Sequence, residues 1–407
     1  MRGKRICILI LGAALLLVSF DGRKEQPDYK SHAVQEEILP PAAGNSYYES
    51  QWALRNDGRL QRITSVCLDG QAGEENGPGE SGPAAGRGWD SWEKITDSVE
   101  GVDIRAEAAW QVYEQTAGRR PVTVAVIDTG VDISHEELAG SLWVNQDEIP
   151  GDGIDNDNNG YIDDINGWNF YSGNSQVYTG PEDDHGTHGA GIIAAAWDGQ
   201  GVTGIADSGY VKLMILKVLG SQEGTGVASN VKLAIRYAQD NGADICNLSI
   251  GSLVYDEEMR ALIRNSHMLF VVSAGNGDAG GTGGDIDKVP MYPASFPEEN
   301  IIAAGNLMFD GTLDESSNYG PVSVDIAAPG THILSSIPGG YAFMTGTSMA
   351  APMVTGTAAL VYSCRTDLSL MEVRKAIINS ARPMEGLEGK VASGGMLDAY
   401  GAITYRP

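Results

Sequence analysis

Val122-Thr123-Val124-Ala125-Val126-Ile127-Asp128 is an apolar, β-branched run that ends on a carboxylate, and Thr129-Gly130 follows it. A near-continuous apolar run of this length suits a strand covered on both faces. Similar runs occupy Lys212–Leu219, Asp244–Ile250, Met268–Ser273, Asn300–Ala304 and Ser323–Ala328. Helix-like stretches lie between or after them, at His188–Trp197, Val227–Asn241, Asp256–His267, Ser348–Cys364 and Ser369–Ala381. The alternation predicts an α/β fold of three layers, with a mostly parallel central sheet flanked by helices on both faces. In such sheets functional groups gather at the carboxyl ends of strands.

Four polar residues stand at such ends. Asp128 closes the first run, where a buried carboxylate needs a partner. His185 lies in Asp183-Asp-His-Gly-Thr-His-Gly189, just before the small-residue stretch Ala190–Ala196. A histidine near neutral pKa can take a proton and hand it on. Ser348 lies in Gly346-Thr-Ser-Met-Ala-Ala-Pro352 at a helix mouth, where N–H groups and the helix dipole favour a developing oxyanion. Asn276, in Ser273-Ala-Gly-Asn-Gly277, can aim an amide N–H at the same cleft. Each alone is ordinary, as a cap or turn residue.

In combination and in this order, the three blocks resemble the subtilisin-like serine proteases, as a bacterial-type, calcium-loop-containing member. Tyr47-Tyr-Glu-Ser-Gln-Trp-Ala-Leu54 is similar to the start of that family's catalytic domain, and Gly394-Gly-Met-Leu-Asp-Ala399 to its closing segment. The resemblance covers about residues 46–405. It implies an Asp128–His185–Ser348 triad that hydrolyses peptide bonds through an acyl-enzyme, with Asn276 as oxyanion donor. It also implies that peptide or protein substrates lie extended beside Ser249, Ile250, Gly251 and Gly275, and beside a strand near Leu219–Gly224. A monomer without organic cofactor is expected. Gly189 and Asp207 depart from the usual Val and Pro without removing a catalytic group. Two other readings stay open: a non-catalytic surface protein, and a metal hydrolase using Asp184, His185 and His188.

Residues 155–164 read Asp-Asn-Asp-Asn-Asn-Gly-Tyr-Ile-Asp-Asp. Oxygen ligands at Asp155, Asp157 and Asn159, Gly160 at the sixth position and Asp163 at the ninth match the first part of a calcium loop, with Tyr161 at the backbone-ligand position. Asn166 replaces the usual twelfth-position Glu, and Asp164 is expected to supply that carboxylate. Family position suggests a second calcium site at Glu137 and Asp198.

At the N-terminus, basic residues precede the apolar run Ile6–Phe20. Residues 1–20 therefore read as a secretory signal peptide, or as a signal anchor if uncleaved, which predicts a secreted or outward-facing, membrane-anchored protein. Residues 21–45 read as a short polar tail, leaving about 25 residues before the Tyr47 block, too few for a folded propeptide. The catalytic domain is expected over 46–407, with a flexible Gly- and acid-rich insertion at 66–98. Cys67, Cys246 and Cys364 form no disulfide framework, and the last two read as core residues. The net charge of −27 argues against nucleic-acid binding. It is concentrated: residues 121–211 contain sixteen Asp or Glu and no Lys or Arg.

Overall fold

The structure, a computed structural model, describes residues 29–31, 34–39, 42, 46–60, 98–220, 225–277 and 281–407. The predicted leader at 1–20, Cys67, residues 66–97 of the predicted insertion and positions 221–224 lie outside the described residues. Among the described residues, no helix is long and apolar enough to cross a membrane.

In chain order the strands are β1 (Tyr29–Ser31), β2 (Val34–Leu39), β3 (Val122–Asp128), β4 (Gly167–Asn169), β5 (Val211–Lys217), β6 (Thr225–Gly226), β7 (Ile245–Leu248) and β8 (Ile250–Gly251). There follow β9 (Leu269–Ser273), β10 (Ile301–Leu307), β11 (Ile326–Pro329), β12 (Ile333–Ile337), β13 (Gly340–Thr345), β14 (Arg382–Pro383) and β15 (Gly395–Met396). The helices are α1 (Ala106–Gln115), α2 (Asp184–Ala194), α3 (Ala228–Asp240), α4 (Glu257–Asn265), α5 (Thr347–Cys364), α6 (Leu370–Asn379) and α7 (Ala399–Thr404).

The main sheet has the order β14-β15-β11-β10-β9-β7-β3-β5-β4. Its pairings are parallel except β14 with β15. Alternation along β3 divides the core in two. Val122, Val124 and Val126 pack with Ile192 and Ile193 of α2 and with the apolar residues of α5. Ala125 and Ile127 pack on the other face with Val231 and Ile235 of α3 and Met259 and Ile263 of α4. This is the expected three-layer α/β arrangement. Cys246 and Cys364 are free, buried thiols in those two cores.

Two expectations are corrected. The helix predicted from His188 begins at Asp184, so His185 sits in its first turn rather than before it. The predicted tail at 21–45 contains β1 and β2, which pair with the body of the fold. β1 joins β6 and β8 in one three-stranded sheet, and β2 joins β12 and β13 in another.

Candidate active site

Asp128 is the last residue of β3, and His185 stands at the second position of α2. The helix reaches the strand end because Gly186 presses on the turn after β3. A Cβ there would lie 2.1 Å from the Gly130 carbonyl oxygen. His185 Nδ1–H donates to Asp128 Oδ1 at 2.7 Å, and the Thr129 backbone N–H donates to the same oxygen at 2.7 Å. Asp128 is 2% and His185 6% exposed, so the pair meets in a low-dielectric setting where it is strong. Burial pushes the imidazole pKa down, but the charge and hydrogen bond of Asp128, with Asp184 behind them, outweigh it and hold the value above the usual one. His185 Nε2 has no hydrogen-bond partner among the described residues.

Ser348 is the second residue of α5 and is fully buried. Its hydroxyl donates to the Ser249 carbonyl at 3.1 Å, and Ser249 Oγ–H donates back to the Ser348 carbonyl at 3.0 Å. These two bonds lock the mouth of α5 to the chain between β7 and β8. Asn276 follows β9, and its Oδ1 accepts from Thr347 N at 3.0 Å and Thr347 Oγ1 at 2.9 Å. Two donors on Oδ1 decide which end of the amide is acceptor and which is donor.

Gly251 and Gly275 both lie close to Met291. A Cβ on Gly251 would come within 3.1 Å of Met291 Sδ, and one on Gly275 within 3.3 Å of Met291 Cε. Met291 therefore lies against both glycines. Asn318 also lies against Gly275, and its Nδ2 donates to the Ala274 carbonyl at 2.9 Å. Neither Met291 nor Asn318 was singled out in the sequence. Met291 lies between β9 and β10 and Asn318 between β10 and β11, and only the fold brings both to Gly275.

The histidine-metal alternative finds no support in the geometry. His188 Nε2–H lies 3.0 Å from both the Ile333 and Ala342 carbonyls, and burial pulls its pKa down to about 3. Asp183 is ion-paired with buried Lys217, and Asp184 caps the His185 N–H at 2.7 Å. Among the described residues, the one cluster of three or more metal-capable side chains is Glu148, Asp157 and Asp164.

That cluster revises the loop reading. Asp157 and Asp164 come together as expected, bridged by Asn159 Nδ2 at 3.0 and 2.9 Å and by Asn145 Nδ2 at 3.0 and 2.9 Å. Glu148, seven residues upstream of the motif, supplies the third carboxylate. Asp155 caps Asn159 and Gly160, and Asp163 turns to the N–H groups of Gly151 and Gly153. Neither belongs to the cluster. Tyr161 packs its ring on Trp168, Phe170 and Tyr237. Glu137 and Asp198 join no such cluster among the described residues. Glu137 Oε1 accepts from Tyr341 Oη at 2.8 Å and Val202 N at 3.1 Å, while Asp198 caps Gln200 N at 2.9 Å.

The description "Subtilase family" matches residues 119–402. The chain belongs to the subtilase family.

Curated subtilase relatives agree with that assignment. The chain is 33% identical to thermitase of Thermoactinomyces vulgaris over 74% of its length and 94% of the relative. It is 35% identical to a thermophilic serine proteinase of Bacillus sp. (strain AK1) over 73% of its length and 64% of the relative. It is 34% identical to subtilisin-like protease 1 of Plasmodium berghei over 69% of its length, spanning 49% of that protein. A crystal structure of a cold adapted subtilisin-like serine proteinase superposes with TM-score 0.52 at 25% identity, covering 69% of this chain and 87% of the other.

Proposed function

We propose that this subtilase is a secreted serine endopeptidase using Asp128, His185 and Ser348. The observation that carries the reading is the buried 2.7 Å bond from His185 to Asp128, in a fold that places Ser348 at a helix mouth. In the proposed reaction Ser348 Oγ attacks the peptide carbonyl as His185 Nε2 accepts its proton. Asp128 holds the tautomer and stabilises the imidazolium. The acyl-enzyme forms, His185 returns the proton to the leaving amine, and water then releases the acid. Asn276 and the Ser348 backbone N–H are the proposed oxyanion donors. Ser249–Gly251 is the proposed strand that pairs with substrate.

The Glu148–Asp157–Asp164 cluster fits calcium, because all three side chains offer hard carboxylate oxygens. A bound ion would neutralise part of the local charge and stabilise the loop, with no part in the chemical step. Export is proposed from the Ile6–Phe20 run, with anchoring as the alternative outcome if that run is retained.

The test is hydrolysis of a generic protein substrate together with labelling by a fluorophosphonate probe. Labelling at Ser348 and loss of hydrolysis in Ser348→Ala are expected. Folded, processed protein that neither labels nor cleaves refutes the enzyme reading. Cell fractionation with N-terminal sequencing tests export.

A further inference from the structure

Pro352 stands inside α5, four residues after Ser348. In an α-helix the N–H at that position donates to the carbonyl four residues before it. Proline has no N–H to give, and its ring crowds that carbonyl. The regular helix bond to the Ser348 carbonyl is therefore missing. Ser249 Oγ–H donates to that carbonyl instead, at 3.0 Å.

Ser249 is itself held by a chain of bonds. Asn247 Nδ2 donates to Ser249 Oγ at 3.0 Å, and Thr355 Oγ1–H donates to Asn247 Oδ1 at 2.8 Å. The direction of the chain is forced from one end. A carbonyl can only accept, so the one proton of Ser249 Oγ goes to Ser348. Ser249 Oγ must then accept from Asn247, which turns the amide nitrogen toward it. Asn247 Oδ1 is left facing Thr355, whose hydroxyl has to donate. Ser348, Ser249, Asn247 and Thr355 are each no more than 1% exposed, so losing one member leaves a buried partner unsatisfied. Thr355 lies seven residues beyond Ser348, two turns along α5 and on the same face. Asn247, on β7, thus ties the body of the helix to its mouth.

On the protease reading above, we propose that Thr355 and Asn247 are positioning residues for Ser348, acting through Ser249 to hold the carbonyl that Pro352 leaves without its helix donor. Neither touches the reacting atoms. Their effect is to direct one proton. With Thr355 in place, Asn247 cannot turn its oxygen to Ser249 and draw that proton away from Ser348. The held carbonyl fixes the Ser348 backbone, and with it the placement of Oγ toward the peptide carbonyl and His185. A displacement of about 1 Å at such a position can cost about 10²-fold in rate.

Thr355→Val removes the hydroxyl and frees Asn247 to reverse. kcat and the rate of fluorophosphonate labelling at Ser348 are expected to fall about tenfold or more, with KM changed by less than about twofold. Thr355→Ser keeps the hydroxyl and is expected to retain most of kcat. The deciding variant is Pro352→Ala, which gives the Ser348 carbonyl an N–H from its own helix. In that background Thr355→Val and Ser249→Ala are each expected to cost less than about threefold in kcat. A merely structural Thr355 would lower Tm alike in both backgrounds, and Pro352→Ala would not restore kcat. Should Thr355→Val fail to fold, Ser249→Ala with and without Pro352→Ala makes the same comparison. Wild-type kcat and labelling in folded Thr355→Val, or losses undiminished by Pro352→Ala, overturn the inference and leave the protease reading intact. A folded wild type that neither labels nor cleaves overturns both.

Discussion

His185 Nδ1 and Asp128 Oδ1 are 2.7 Å apart, although 57 residues separate them in the chain. The carboxylate raises the imidazole pKa against the downward push of burial. Activity needs neutral His185, so the rate should rise with pH through a value above the ordinary histidine pKa of about 6.5. Asp128→Asn removes the charge and leaves burial, so the acidic limb should move to lower pH. It should also cut kcat by roughly 10⁴, the loss typical when a triad carboxylate is removed. A pH–rate profile of the two proteins checks both.

Removal of the Asn276 donor should cost about 10²–10³ in kcat with little change in KM, since the donor acts on a charge present only in the transition state. Asn276→Leu is the test. Thr347→Val deletes one of the two donors that orient this amide and should produce a smaller loss of the same kind. Steady-state kinetics that show a KM effect alone would assign Asn276 to ground-state binding.

Calcium removal should loosen residues 148–164 first. A chelator is expected to lower Tm and to speed hydrogen exchange there, before exchange rises in β3 or α5. Glu148→Gln should weaken calcium binding, because it withdraws one of the three clustered carboxylates. Asp163→Asn should leave the affinity nearly unchanged, since that side chain serves the Gly151–Gly153 turn. Calorimetry with calcium alone distinguishes these outcomes.

Glu137 is only 2% exposed, and burial raises its pKa to about 7, with Asp198 and Glu136 adding to the rise against the Tyr341 and Val202 bonds. Tyr341 Oη lies 2.8 Å from both Glu136 and Glu137. One hydroxyl has one proton to give, so the second contact needs a protonated carboxyl. The folded value exceeds the unfolded one, so this contribution is full below about 4.5 and lost as pH rises through about 7. Its ceiling is about 3 kcal/mol, at roughly 1.4 kcal/mol per unit. Glu137→Gln should flatten that part of the stability–pH curve, as read by denaturant melts from pH 4 to 8.

Met291 lies against Gly251 and Gly275 of the proposed substrate site. Met291→Gly should raise kcat/KM for peptides with large side chains at the cleaved position by about tenfold or more relative to small ones, as extra buried methylenes are worth about 1–3 kcal/mol. A panel of peptides varying only at that position reads the change.

Much was legible before any coordinates. Buried parallel strands require unbroken apolar runs, so the α/β alternation is written in the chain itself. The blocks that hold Asp128, His185 and Ser348 are each local: a strand end, a helix start, a helix mouth. Burial of α5 on nearly every side follows directly from its small and apolar residues.

What the sequence concealed is what depends on non-local packing. Glu148 joins Asp157 and Asp164 because the loop folds back on itself, and ligand spacing within a motif says nothing of a residue upstream. Met291 and Asn318 reach Gly275 only once the loops between β9 and β10 and between β10 and β11 fold back on it. The paths of β1 and β2 were hidden for a different reason. Their pairing with β6, β8 and β13 is made by backbone N–H and C=O groups, which every residue but proline carries alike. A polar stretch such as Tyr29-Lys-Ser31 therefore shows no periodic mark of its place. Side-chain chemistry and periodicity determined the fold class of this protein and singled out its proposed reacting groups. Tertiary structure alone decided where β1 and β2 pair, because those contacts are made by the main chain.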